Sequence, residues 1–190
     1  MKVGYVKSEG ESLDGRQDIA TLKKLGVQLV EVELPSRLPV WAIADVLDIE
    51  AATAFDELTK TGDVEGLNAW PRIFRKAKFT SAVDYVQAMR ARRLLMEEME
   101  ELMSKVDVLI NAEDLGITNL TGHPSAVLPV GYKTENEIDE PISVVFTGQL
   151  DGESDLLAVA HAYQQLVEPH LKRPPMEEHL RKFKIGRAHV

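Results

Sequence analysis

The chain has 190 residues, 44% of them hydrophobic and 28% charged, which suits one domain with a buried core and excludes a disordered polymer. A formal charge of -9 excludes a nucleic-acid backbone as direct partner, since phosphate binding needs clustered lysine and arginine. There is no cysteine, hence no disulfide or thiol nucleophile, and no apolar run near the ~20 residues of a membrane span, so a soluble, cytoplasmic protein is expected.

Val3 to Val6 reads as a short buried strand, followed by a polar loop at Ser8 to Ser12. Asp14 with Gln17 three residues on has the form of a helix N-cap, Ile19, Leu22 and Leu25 share one face, and Gly26 supplies the stop. From Val27 to Leu34, Val30, Val32 and Leu34 alternate with Glu31 and Glu33 until Pro35 ends the run. Strand, helix and strand in succession predict a βαβ unit with parallel strands.

Pro39 to about Leu58 reads as a helix with Trp41, Val46, Ile49 and Phe55 as its apolar positions, broken between Thr61 and Pro71 by Gly62 and Gly66. The clearest helix starts at Ser81, with Asp84 completing an acidic form of the capping box, and carries Tyr85, Met89, Met96, Met99 and Met103 as a core stripe. Arg90, Arg92 and Arg93 precede the acidic run Glu97 to Glu101, a pattern of a solvated, ion-paired face.

Val106 to Ile110 is a further strand, and Asn119 to Pro124 is rich in turn formers. An apolar stretch from Ala126 to Gly131 leads into Lys133 to Pro141, read as a charged surface loop. Ile142 to Phe146 reads as a strand, Gly148 to Glu153 as a turn, and Ser154 to Val167 as a closing helix with Leu156, Leu157, Ala160 and Tyr163 inward. Strands interleaved with helices predict an α/β fold with a mixed, mostly parallel sheet flanked by helices.

The common catalytic signatures are missing: no dinucleotide or phosphate-binding glycine motif, no G-x-S-x-G elbow and no H-E-x-x-H. His123 in its turn reads as a structural residue. The carboxylates Asp14/Asp18 and Asp151/Glu153/Asp155 fit helix starts, where the dipole favours them, better than a metal site. Neither a metal nor a cofactor is expected.

The stretch Asp107-Val108-Leu109-Ile110, then Asn119-Leu120-Thr121-Gly122-His123-Pro124, then Ser125-Ala126-Val127-Leu128-Pro129-Val130-Gly131, resembles the C-terminal half of the amidase-signature family. The flanking pieces follow the family's order: Val3-Gly4-Tyr5 with Glu33-Leu34-Pro35 upstream, Arg75 to Arg92 as the long helix, and Thr147-Gly148 to Leu157 downstream. The resemblance covers residues 1 to about 167. It implies a partial amidase-signature fold and carboxamide hydrolysis or ammonia transfer by a serine nucleophile, a bridging serine in a cis peptide and a lysine base.

All three of those residues would lie N-terminal to the part represented here, so no catalytic role passes to any residue of this chain. The resemblance places Arg72, Asp114 and Asn119 near substrate-binding positions of the tRNA-dependent members, while Asn119 equally suits a turn residue bonding its own backbone. Asn111-Ala112-Glu113 and Pro141-Ile142-Ser143-Val144 depart from the family pattern, which leaves the amide's identity open.

The expected organisation is an amidase portion over residues 1–170 and a tail over 171–190. Pro174-Pro175 ends the last helix, and Lys184 to Val190 matches one reading frame of a common sequencing adapter. The expectation is therefore a gene truncated at its start and extended artificially at its end. The partner implied is a small amide in the parent enzyme, with an oligomer left open. A different class, a stand-alone non-catalytic α/β module binding a small molecule or another protein, is the alternative.

Overall fold

The computed structural model describes residues 1–7, 12–62, 68–110, 115–135 and 138–172, the side chains of Asp14 and Ile138 excepted. The loop at 8–11, Gly66, the segment 111–114 with Asp114, and the tail from 173 onward lie outside the described residues.

Strands β1 (Lys2–Val6), β2 (Gln28–Val32), β3 (Val108–Ile110), β4 (Ser125–Glu135) and β5 (Ile138–Gly148) form one sheet in the order β2-β1-β3-β5-β4. The β1 strand pairs in parallel with β2 and β3, whereas β5 runs antiparallel to β3 and β4. The sheet is mixed, as expected, and its opening βαβ unit is parallel.

Helices cover both faces. Helix α1 (Gln17–Lys24) and helix α7 (Glu153–Val167) pack on one side, where Ile19, Leu22, Leu156, Val159 and Tyr163 meet Val3, Val108 and Phe146. The Phe146 and Tyr163 rings meet edge to face at 5.2 Å, a favoured aromatic geometry. On the other side lie α2 (Val40–Ala54), α5 (Ala82–Met103) and α6 (Gly116–Thr121), with Ile43, Leu95, Met99, Leu102, Ile117 and Leu120 against Val32 and Leu109.

A smaller cluster joins α2 to α3 (Asp56–Thr61) and α4 (Trp70–Ala77). Phe74 stacks on Phe55 at 5.4 Å and meets the Trp70 ring at a tilt, 5.6 Å away. Lys60 and Lys78 converge on the Asp56 carboxylate and hold its proton affinity below the usual carboxylate range.

Several expectations need correction. Helix α1 starts at Gln17 with Arg16, not Asp14, in the capping place; Leu13–Gly15 forms a 3-10 turn ahead of it. Arg16 makes no side-chain cap bond; the favourable charge of the first turn is the Asp18 carboxylate, which Arg16 pairs at 2.6 Å. The single helix expected over 39–58 divides at Phe55 into α2 and α3. Helix α4 begins at Trp70, at the end of the break expected from Thr61 to Pro71, and takes Pro71 into its first turn, where proline forfeits only an N–H that has no helical partner.

Within the expected loop, residues 133–135 and 138–141 instead extend β4 and β5, two paired strands of eleven residues each, while 136–137 lie outside the described residues. Charge misleads here because an edge strand faces water and keeps polar side chains; Lys133 pairs with Glu140 across the ladder and Thr134 donates to Asp139 at 2.7 Å. Within the Met stripe, Met99 and Met103 are core, but Met96 reaches solvent. Leu157 is 60% exposed, since the inward stripe of α7 runs Leu156, Val159, Ala160, Tyr163 and a neighbour one residue on points away.

Candidate functional site

Topology indicates where a ligand would sit. The path from β1 to β2 runs through α1 on one face, and the path from β2 to β3 runs through α2 to α5 on the other. Strand order therefore reverses between β1 and β3, and the crevice beyond the carboxyl ends of two such strands is the usual binding place in open α/β sheets. Here those ends are Val6 and Ile110, with Tyr5 level with Ile110.

Two elements are described at this end, and the first rests on Arg16, which sequence reasoning passed over. Arg16 donates from its guanidinium to the carbonyl of Val6 at 2.7 Å and pairs with Asp18, so a fixed cation stands at the end of β1. A charged residue ahead of a helix start was its only sequence signal. After β3 comes the segment 111–114 and then α6, whose Ile117 and Leu120 are buried while Asn119 faces out.

The sequence pattern puts Asn119 in a turn, yet it sits inside α6, its amide donating to the carbonyl of Leu115 at 2.9 Å. The glycine after it explains the difference: Gly122 adopts φ 85°, which ends a helix as readily as it makes a turn. Arg72 is exposed on α4. Helices α4 and α6 both pack on α2, but no hydrogen bond among the described residues joins Arg72 to Asn119. Asp114 lies outside the described residues, so the three are not brought together here.

The basic group on α5 splits in function. Arg93 pairs with Glu97, as the expected solvated face would have it. Arg92 instead turns inward and donates to the carbonyl of Leu120 at 2.6 Å, clamping α6 onto α5. Nearby on the same helix, the Tyr85 hydroxyl donates to Glu50 of α2 at 3.0 Å, and that contact raises the phenol's proton affinity.

A separate groove of about 580 Å³ runs along β2 between Glu31–Pro35 and Glu98–Lys105. Its carboxylates Glu98 and Glu101 are paired with Arg37 and Lys105. Among the described residues no group of three or more histidine or acidic side chains is placed to hold a metal, and no helix is long and apolar enough to cross a membrane.

The molecule is thus of the α/β class, with a mixed sheet between two helical layers and a strand-order reversal between β1 and β3. No protein-family model matches the chain. It is 25% identical to a glutamyl-tRNA(Gln) amidotransferase subunit of Microcystis aeruginosa, over 92% of this chain and 47% of the relative. It is 26% identical to an amidase of Pseudomonas putida, over 85% and 40%.

Among solved structures, a crystal structure of an amidase superposes with a TM-score of 0.69 over 87% of this chain and 46% of that one, at 18% identity. An allophanate hydrolase of Kluyveromyces lactis superposes at 0.67 over 89% and 32%, also at 18% identity. The chain is thus similar in sequence to amidases and amidotransferase A subunits, and its fold is that of amidase-signature enzymes. It spans less than half the length of the curated relatives it matches.

Proposed function

We propose that this chain is the C-terminal portion of an amidase-signature hydrolase, contributing one wall of the amide pocket to a catalytic portion that carries the serines and the lysine. The supporting observation is the outer surface of the helical layer. Helix α2 carries large apolar residues on its outer as well as its inner side, a pattern of a helix covered on both. Its Trp41 is 71% exposed and Leu47 is open, and beside it Phe79 is 90% exposed with Val83 and Val86 also bare. Apolar surface of this extent calls for a covering partner.

In this reading the crevice beyond β1 and β3 faces the serine nucleophile. Asn119, on the outer side of α6, and Asp114, just before that helix, bind the polar end of the substrate. Arg72 on α4 serves a carboxylate of the substrate through its planar fork of donors. The amidase portion in this reading is 1–170, with 171–190 as a tail.

The test is a chimera: the amidase of Pseudomonas putida with its matching C-terminal stretch replaced by residues 1–170, assayed for ammonia release from small carboxamides. Turnover, with KM raised in Asn119→Ala and Arg72→Ala, supports the reading. A folded but inactive chimera, with a monodisperse and cooperatively melting isolated chain, overturns it in favour of a stand-alone binding module.

A further inference from the structure

His123 stands between Gly122, which ends α6, and β4, and it is only 7% exposed. Its Nδ1 lies 2.8 Å from the Thr121 hydroxyl. That hydroxyl has one proton and donates it to the carbonyl of Ile117 at 2.9 Å. The ring must then be the donor, so the neutral imidazole carries its proton on Nδ1 and Nε2 is a bare lone pair. Nε2 is buried without a partner among the described residues.

Beside the ring is a cavity of about 120 Å³, lined by Glu100, Met103 and Ser104 from the end of α5 and by Gln149 and Leu150 from the turn after β5. Gln149 is anchored, donating to the carbonyls of Met103 and Val106 at 3.2 and 2.9 Å. Of the side chains facing His123, those of Thr121 on α6 and of Gln149 and Leu150 on the turn are uncharged. On α5, Glu100 is the charged group in the cavity lining.

We propose that His123 is an acid-operated latch on the junction of α6 and β4: neutral, it is held inward on Thr121; protonated at Nε2, it swings into the cavity toward the Glu100 carboxylate and releases the end of α6. An imidazolium left in place would be a buried charge with one N–H unpaired, which is costly. Burial lowers the ring's proton affinity in the closed position, and Glu100 acts in the opposite sense.

The direction of the pH effect follows. In the open position the Glu100 carboxylate lifts the ring's pKa above its ordinary value of about 6.5, so the closed state keeps its full advantage only above that raised value. As pH falls from there toward the lowered closed-state value, each unit raises the open-to-closed ratio by about tenfold. Any effect on amide binding rests on α6 being a pocket wall; the latch itself does not.

Hydrogen exchange of the chain, followed by mass spectrometry from pH 8 to pH 5, tests this together with an NMR titration of the His123 ring. The expected result is a ring that titrates below 6.5 from the Nδ1–H tautomer. Protection of the amides of Asn119 and Gly122 should fall about tenfold per pH unit below 6.5. Glu100→Gln moves the midpoint to lower pH, and His123→Gln abolishes the dependence in this segment. A ring titrating at or above 6.5 with unchanged protection overturns the latch, as does a dependence that survives in His123→Gln. The wild-type titration decides alone if a variant does not fold. Failure of the chimera to hydrolyse amides would refute the pocket assignment and leave these readouts intact.

Discussion

The Nε of Arg92 donates to the main-chain carbonyl of Leu120 across 2.6 Å, joining the middle of α5 to the last turn of α6. Carbonyls at a helix C-terminus have no partner within the helix, and the helix dipole makes them favourable to a cation. Arg92 meets both needs at once. A six-residue helix too short to persist alone is thereby held against the core.

Replacing Arg92 with methionine keeps the apolar stem and removes the donor. The expected loss is about 1.5–3 kcal/mol, the usual worth of a hydrogen bond to a charged group. Urea denaturation measures it, and exchange of the Gly122 amide, which donates to Thr118, should accelerate. Arg92→Lys should recover little, because a flexible ammonium does not place its proton where Nε does.

Gly148 sits where the sheet meets α7. A Cβ there would stand 3.0 Å from the Leu156 Cβ, 3.3 Å from the Gly152 carbonyl and 3.4 Å from Pro124. Two of these neighbours are backbone or close to it and cannot move cheaply. Gly148→Ala should destabilise by about 1–3 kcal/mol. Gly15→Ala, with open space around it, should stay within about 0.5 kcal/mol by the same thermal melt.

The aromatic stack on α4 gives a test of local against global stability. Phe74 belongs to the satellite cluster with Ala52 and Ala77, apart from the two cores that flank the sheet. Phe74→Ala should cost about 3 kcal/mol and free α3 and α4 to exchange while the sheet amides stay protected. Phe146→Ala, at the centre of the sheet, should instead lower protection throughout.

Trp41 and Leu47 make a prediction about association. Changing both to glutamine removes exposed apolar surface and no core contact, so stability should move by no more than about 0.5 kcal/mol per site. Light scattering after size exclusion should show the wild-type chain associated and the double variant shifted toward monomer. Equal behaviour of the two would remove the apolar face as the cause of association.

Legibility divides along physical lines. The βαβ opening, the Ser81–Asp84 cap and the closing helix are readable because alternation, capping chemistry and glycine stops act within a few residues. Asn119 is misplaced by local reading because Asn-Leu-Thr-Gly has the composition of a turn. Burial of Ile117 and Leu120 against α2 and α5 is what makes it a helix. The strand extension beyond Gly131 escapes local reading because pairing with Asp139 and Glu140 is information held by the other strand.

The candidate site follows the same division. Ordered motifs from Asp107 to Gly131 carry the amidase-signature resemblance without any coordinates, since those short signals keep their sequence order. Tertiary structure alone decided that Arg92 caps a helix, that Arg16 marks the end of β1 and that His123 is buried with one nitrogen unpaired among the described residues. Each depends on a partner from another element. A side chain's chemistry is encoded locally, while its burial and hydrogen-bond partner are set by what the rest of the chain brings beside it.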